Sequence, residues 1–244
     1  MELDRPLLKE RSKQLIRESN PKVLTASLIV MVLGALIALL SGRLVGITGQ
    51  EAARYMQYLQ NGDAEAALTV IAEHTPSAGA QLVNLLLEAV TIIVSLGFEI
   101  FLLNTLRGTS PDLGNLLDGF SFWWKVLVMD FVIGLLVFLW SLLLIVPGII
   151  AAYRYSMANY VLITHPDFGI MECIRESKRL TKGWKSTLFV LDLSFIGWAL
   201  LCIVPVVGWL VSVWVTPYRG LTFLEYYENI SGYPIPVENA ADQF

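Results

Sequence analysis

Three long stretches of the chain are almost free of charge. No charged residue lies between Lys22 and Arg43, only Asp130 lies between Lys125 and Arg154, and only Asp192 lies between Lys185 and Arg219. A helix of ~20 mainly apolar residues crosses the ~30 Å hydrocarbon core of a bilayer. The pattern predicts an all-α, polytopic transmembrane bundle of six spans, at 23–41, 82–106, 122–146, 149–164, 187–204 and 207–226. Pro147-Gly148 is read as the hairpin between the third and fourth spans, because Pro removes a helical hydrogen bond and Gly favours a turn. A single kinked span is the alternative there. Pro205 and Gly208 mark the turn between the fifth and sixth. The sixth helix must continue past Pro217 and Arg219 to be long enough to cross. The spans thus pair as three hairpins.

Polar, amphipathic segments punctuate these runs. Residues 2–19 predict a helix capped by Asp4, with Pro6 in its first turn and Asn20-Pro21 at its end. Leu7, Leu8, Leu15 and Ile16 share one side, and Lys9, Arg11, Lys13 and Arg17 add positive charge. Such a helix lies on a membrane surface, or it is a solvated lead-in packed on the bundle. Residues 168–183 predict a second charged amphipathic helix, 170–182, stopped by Gly183. The largest loop, 42–81, contains helical stretches near 50–60 and 64–73, broken at Asn61-Gly62-Asp63. Thr109-Ser110-Pro111-Asp112 signals a turn. The domain reading is a lead helix over 1–22, a membrane domain over 23–226 and a tail over 227–244. The first apolar run is longer than a signal-peptide core and is followed by no small-x-small site, so it reads as an uncleaved span.

Charge distribution orients the bundle. Six Lys/Arg precede the first span, two lie in the 42–81 loop, two in 107–125, five in 165–185 and one in 219–244. Six spans therefore put 14 on one side and 2 on the other. Positive-inside bias makes the richer side cytoplasmic, with both termini there and the large loop outside. A five-span reading would place the five-charge segment outside. Trp123, Trp124 and Trp184 fit the cytoplasmic aromatic belt and Trp209 the outer one, while Trp140, Trp198 and Trp214 suit packing positions. A polar lead, a Lys and a two-span hairpin recur before Lys22, Lys125 and Lys185. Internal duplication and convergent membrane-entry signals both account for this.

Composition narrows the function classes. The 244 residues are 55% hydrophobic and 16% charged, against ~25% charged in soluble domains. No basic patch with interleaved aromatics supports nucleic-acid binding. Cys173 and Cys202 build neither a disulfide framework nor a zinc site. His74 and His165 lack metal-ligand spacing, Ser156 and Ser194 lack a nearby histidine base, and no zinc-protease, nucleophile-elbow or phosphate-loop motif occurs. The expectation is a non-enzyme with no cofactor and no metal.

Six ionisable residues fall at membrane depth: Glu88, Glu99, Asp130, Arg154, Asp192 and Arg219. Each costs ~2.5–3.5 kcal/mol at a helix centre on insertion scales, so each calls for a partner or an aqueous cavity. At 1.5 Å per residue, Glu88 and Arg154 fall about one-third in from the outer face, and the other four in the inner half. The expected pairs are Glu88 with Arg154, and Arg219 with one or two inner acids. These charges tie helices together, or they line a substrate or ion pathway. At the cytoplasmic surface, Arg11, Arg17, Arg175, Lys178, Arg179 and Lys182 are expected to contact anionic lipid.

Two segments are distinctive as sequence. One is Leu144-Ile145-Val146-Pro147-Gly148-Ile149-Ile150-Ala151-Ala152-Tyr153-Arg154-Tyr155-Ser156-Met157-Ala158. The other is Ile174-Arg175-Glu176-Ser177-Lys178-Arg179-Leu180-Thr181-Lys182-Gly183, followed by Leu191-Asp192-Leu193-Ser194-Phe195-Ile196-Gly197-Trp198. Together they resemble a bacterial integral-membrane family catalogued as domain of unknown function 975. More remotely, the first looks like the membrane domain attached to some glycerophosphodiester phosphodiesterases. The resemblance is best over about 110–225. It implies a largely Firmicute-type, multi-pass plasma-membrane protein and assigns no catalytic residue. Two function classes remain. One is a non-enzymatic membrane protein that organises or regulates partners or lipids. The other is a small transporter, channel or lipid-handling protein built around the inner carboxylates.

Overall fold

A computed structural model describes residues 5–19, 22–45, 49–73, 77–109, 111–202, 204 and 207–232. Every regular element among them is helical. In chain order these are α1 (Arg5–Glu18), α2 (Lys22–Val45), α3 (Gly49–Gln60), α4 (Ala64–Glu73), α5 (Ala78–Arg107), α6 (Asn115–Asp118), a 3-10 turn at Gly119–Phe122, α7 (Trp123–Leu143), α8 (Ile145–Tyr155), α9 (Ala158–Thr164), α10 (Ile170–Leu180), α11 (Lys185–Leu193), α12 (Ile196–Cys202) and α13 (Val207–Ser231). The Asp4 cap, the Asn20-Pro21 stop, Ser110, His74, Pro205 and the tail from 233 lie outside the described residues.

The helices at 22–43, 78–107 and 115–143 are long and apolar enough to cross a membrane. The pair α11–α12, bent by 44°, reaches the same standard only when counted together. These correspond to the first, second, third and fifth expected spans. The other two expected spans do not pass that test. The fourth is broken between Tyr155 and Ala158. The sixth is one continuous helix through Pro217, as its length required. Helix α13 also runs through Ser231, so the first residues assigned to the tail are helical.

The chain divides into two compact units, 31–92 and the remainder. Within 31–92, α3 and α4 pack as a helical hairpin. Gly62 at φ +75° makes the tight turn, where a side chain is disfavoured. Asp63 accepts the Ala66 N–H at 3.1 Å and caps α4. The outer faces of α2 and α5 here are apolar: Leu36, Leu39, Leu85 and Leu86 are exposed. Aliphatic exposure of this extent fits a lipid solvent.

In the larger unit, α1 packs on α13. Leu8, Ser12 and Ile16 are buried, and Ser12 Oγ accepts from Thr222 Oγ1 at 3.1 Å. Of the apolar side, Leu8 and Ile16 are covered by protein, whereas Leu7 is exposed. Helix α5 crosses the α6–3-10 segment at Gly97 and Gly119, where a Cβ on either residue would collide with backbone of the other segment. The Gly97 region contributes Leu96, Phe101 and Leu102 to the core. Gly183, at φ +89°, reverses the chain between α10 and α11, the predicted stop.

The Pro147-Gly148 hairpin needs correction. The chain turns at Leu144, whose extended conformation (φ −164°, ψ 150°) separates α7 from α8. Pro147 lies in the first turn of α8, where its missing N–H costs no helical bond. Gly148 serves packing: a Cβ there would strike Ser141 of α7. The turn therefore precedes the residues that announce it.

Candidate functional site

Helices α8, α11, α12 and α13 line an open-sided cavity of about 540 Å³. Its walls are mostly apolar, including Phe189, Leu193, Phe195, Ile196, Ala199 and Val215. Tyr153, Asp192 and Arg219 supply its polar part. Arg219 donates from Nε and Nη2 to Asp192 Oδ1, at 3.0 and 2.9 Å. Tyr153 donates its hydroxyl to Asp192 Oδ2 at 2.9 Å. Both carboxylate oxygens are thus used. The Arg219 side chain remains 53% exposed, with its guanidinium 4.8 Å from the Phe223 ring centre. This is the expected pairing of Arg219 with an inner acid. Tyr153 was not foreseen, since a tyrosine beside Arg154 carries no signal of its own in the sequence.

The bend between α11 and α12 shapes the cavity. Helix α11 ends at Ser194, and Lys9 of α1 donates Nζ to the Ser194 carbonyl at 3.3 Å. A cation at a helix C-terminus meets the negative end of the dipole and an orphan carbonyl. The same amine lies 4.4 Å from the Phe195 ring centre. Burial and the charge of Lys13 push the Lys9 amine below its ordinary pKa. Trp198 and Trp214 pack at 5.5 Å and Trp214 and Tyr218 at 4.8 Å, whereas Trp140, expected to pack with them, is exposed.

Glu99 and Asp130 form a second cluster. One Glu99 carboxylate oxygen is buried with no hydrogen-bond partner among the described residues. Asp130 faces the Asn159 amide, and the Glu99 charge reaches both Asp130 and Tyr160. These two acids do not line the large cavity. Glu88 is exposed and belongs to the 31–92 unit.

Arg154 is placed by its backbone. Its carbonyl accepts from Ser177 Oγ and Thr181 Oγ1, both at 3.1 Å, and the Met157 N–H donates to Ser177 Oγ at 3.2 Å. Two hydroxyls of α10 therefore satisfy the groups orphaned where α8 gives way to α9. Ser177 and Thr181 are buried on the same face as Cys173, Ile174 and Leu180. Their i, i+4 spacing within an apolar stripe was the available signal. Among the described residues Arg154 makes no ion pair, and its guanidinium lies 6.0 Å from the Trp140 ring centre. The contacts with Ser177 and Thr181 put Arg154 beside the charged helix 170–180, a neighbourhood that counting depth from the Pro147-Gly148 turn did not give.

The basic surface residues divide. Arg11 pairs with Glu225 at 3.2 Å, Arg175 with Glu172 at 3.9 Å, and Arg179 with Glu176. Arg17, Lys178 and Lys182 are exposed. Helix α10 starts with the Glu172 carboxylate accepting the Gly169 N–H at 2.8 Å. Two acids of α13 that the sequence left unmarked hold the unit together: Glu225 with Arg11, and Glu228 with Arg107 at 2.9 Å.

No curated protein and no solved structure matches the chain. The family model described as "Protein of unknown function (DUF975)" matches residues 141–233. That span holds α8 through α13, with Tyr153, Asp192, Arg219 and the Ser177–Thr181 clasp, and over it the chain is similar to that family.

Proposed function

We propose that this chain is a multi-pass, non-enzymatic membrane protein that holds and organises lipid. The observation that carries the reading is the cavity of about 540 Å³ with apolar walls and one polar patch at Tyr153, Asp192 and Arg219. Its volume lies in the ~300–1,000 Å³ range of small-molecule sites. The walls suit an acyl chain and the patch suits a polar head. Tyr153 donates a hydrogen bond to a carboxylate that Arg219 already neutralises, so the constellation offers no free base. Native mass spectrometry of protein released from nanodiscs tests the reading. Wild type is expected to retain lipid, and Ala199→Trp, which fills the cavity, to lose most of it. Unchanged retention in a folded Ala199→Trp protein would sink the proposal.

The topology belongs to the same proposal. Six crossings form three hairpins, with α8–α9 and α13 completing the set. Both termini and α10 face the cytoplasm of a bacterial plasma membrane, where Arg17, Arg175, Lys178, Arg179 and Lys182 meet anionic lipid. The 14-to-2 charge count supports this orientation. Single cysteines at positions 63 and 178, in a chain with Cys173 and Cys202 replaced, report it in intact cells. Position 63 is expected to react with an impermeant reagent and position 178 to be protected; the reverse pattern would overturn the orientation.

A transport reading keeps one specific support, the buried oxygen of Glu99 near Asp130, which has no hydrogen-bond partner among the described residues. In liposomes it requires a Glu99→Gln-sensitive ion or proton flux.

A further inference from the structure

We propose that Arg154, Lys178 and Lys185 form a binding site for a phosphate group, carried by a lipid headgroup or by a free anion. Backbone geometry assembles the site. The hydrogen bonds from Ser177 and Thr181 to the Arg154 carbonyl, both 3.1 Å, fix the last turn of α8 against the part of α10 that carries Lys178. The chain then reverses at Gly183, and Lys185 opens α11, which packs on α8.

Three observations point to an anionic ligand. The Arg154 Nε is buried with no hydrogen-bond partner among the described residues, and a guanidinium stays charged wherever it is placed. Among the described residues none of the three cations forms an ion pair, whereas nearby Arg175, Arg179 and Arg219 each do. The Lys185 amine is pushed down by burial and then by the charges of Arg154 and Lys178. Like charges gathered this way repel one another unless an anion joins them. A guanidinium fork beside two ammonium groups matches phosphate oxygens in charge and donor geometry.

Such a site replaces diffuse attraction to anionic lipid with one built pocket of cations. It rests on the proposed lipid-organising reading only for the exposure of α10 to the membrane. The test uses the full chain in phosphatidylcholine nanodiscs, in two arms. One arm adds phosphatidic acid and counts retained lipid by native mass spectrometry. The other adds inorganic phosphate and follows tryptophan fluorescence, since Trp140 lies against Arg154. Lys178→Gln and Lys185→Gln are each expected to weaken anion binding about fivefold, the effect of one charge beside an anionic surface. Lys182→Gln, with the same change in net charge, is expected to leave it near wild type. Saturation in the phosphate arm, lost in the same variants, identifies a free anion as the source; an effect confined to the phosphatidic acid arm identifies a headgroup. If Arg154→Gln does not fold, the two lysine variants still decide. Equal losses in Lys182→Gln and Lys185→Gln would overturn the built site and leave surface attraction standing. No preference for anion in either arm would overturn both.

Discussion

Gly97→Ala is expected to destabilise the fold by ~3 kcal/mol or more, or to abolish folded yield. Overpacking a core costs ~1–3 kcal/mol when side chains can give way. Here the collision is with backbone. A Cβ on Gly97 would strike the carbonyl of Leu116, and a Cβ on Gly119 would strike the carbonyl of Ile93 and the amide of Gly97. The two glycines are opposite sides of one crossing, so neither can be relieved by the other. Buried Leu96, Phe98 and Phe101 on the same helix would move with any shift. Gly134→Ala is the contrast. Nothing lies within 4 Å of its Cβ position in α7, and Ala in a helix is favoured over Gly by up to ~1 kcal/mol. Melting of detergent-solubilised protein, followed by size-exclusion fluorescence, compares the two. Equal melting temperatures would show that the crossing tolerates a wider spacing.

What could be read from the sequence was set by where the chain satisfies its own backbone. The helices at 22–43, 78–107 and 115–143 bond internally, so hydropathy and scarce charge were enough to place them. The broken elements depend on distant residues. The interruption after Tyr155 is closed by Ser177 and Thr181, and the one at Ser194 by Lys9. Neither partner is visible from the local pattern, so 149–164 and 187–204 read as plain spans. Pro147-Gly148 misled for a related reason. A Pro two residues inside a helix start and a Pro in a turn look alike until the capping residue is known, and that residue is Leu144, which no capping preference marks. Among the charges at membrane depth, depth matching gave Arg219 an inner acid without choosing among Glu99, Asp130 and Asp192, and the structure supplies Asp192. It did not find the setting of Arg154, since a bend intervenes between that residue and the helix it meets.

Asp192→Ala is expected to destabilise the protein by ~2 kcal/mol and to uncouple Arg219 from α11. Hydrogen bonds to charged groups contribute ~1.5–3 kcal/mol. The side chain of Asp192 is 31% exposed and that of Arg219 53%, so screening keeps the effect away from the upper end. Asp192 also holds Tyr153, and the two contacts can be separated. Tyr153→Phe removes one neutral donor and should cost ~1 kcal/mol. Asp192→Asn keeps an acceptor for Tyr153 while removing the charge that faces Arg219, so it should cost more than Tyr153→Phe and less than Asp192→Ala. A double-mutant cycle on Asp192→Ala and Arg219→Ala should return a coupling of at least ~0.5 kcal/mol. Additive losses would mean that the ion pair is incidental to the bend. The cavity adds a second readout. If the polar patch holds a lipid head, Asp192→Ala should lower lipid retention even when melting is restored by Gly134→Ala. A purely structural tie would recover retention along with stability.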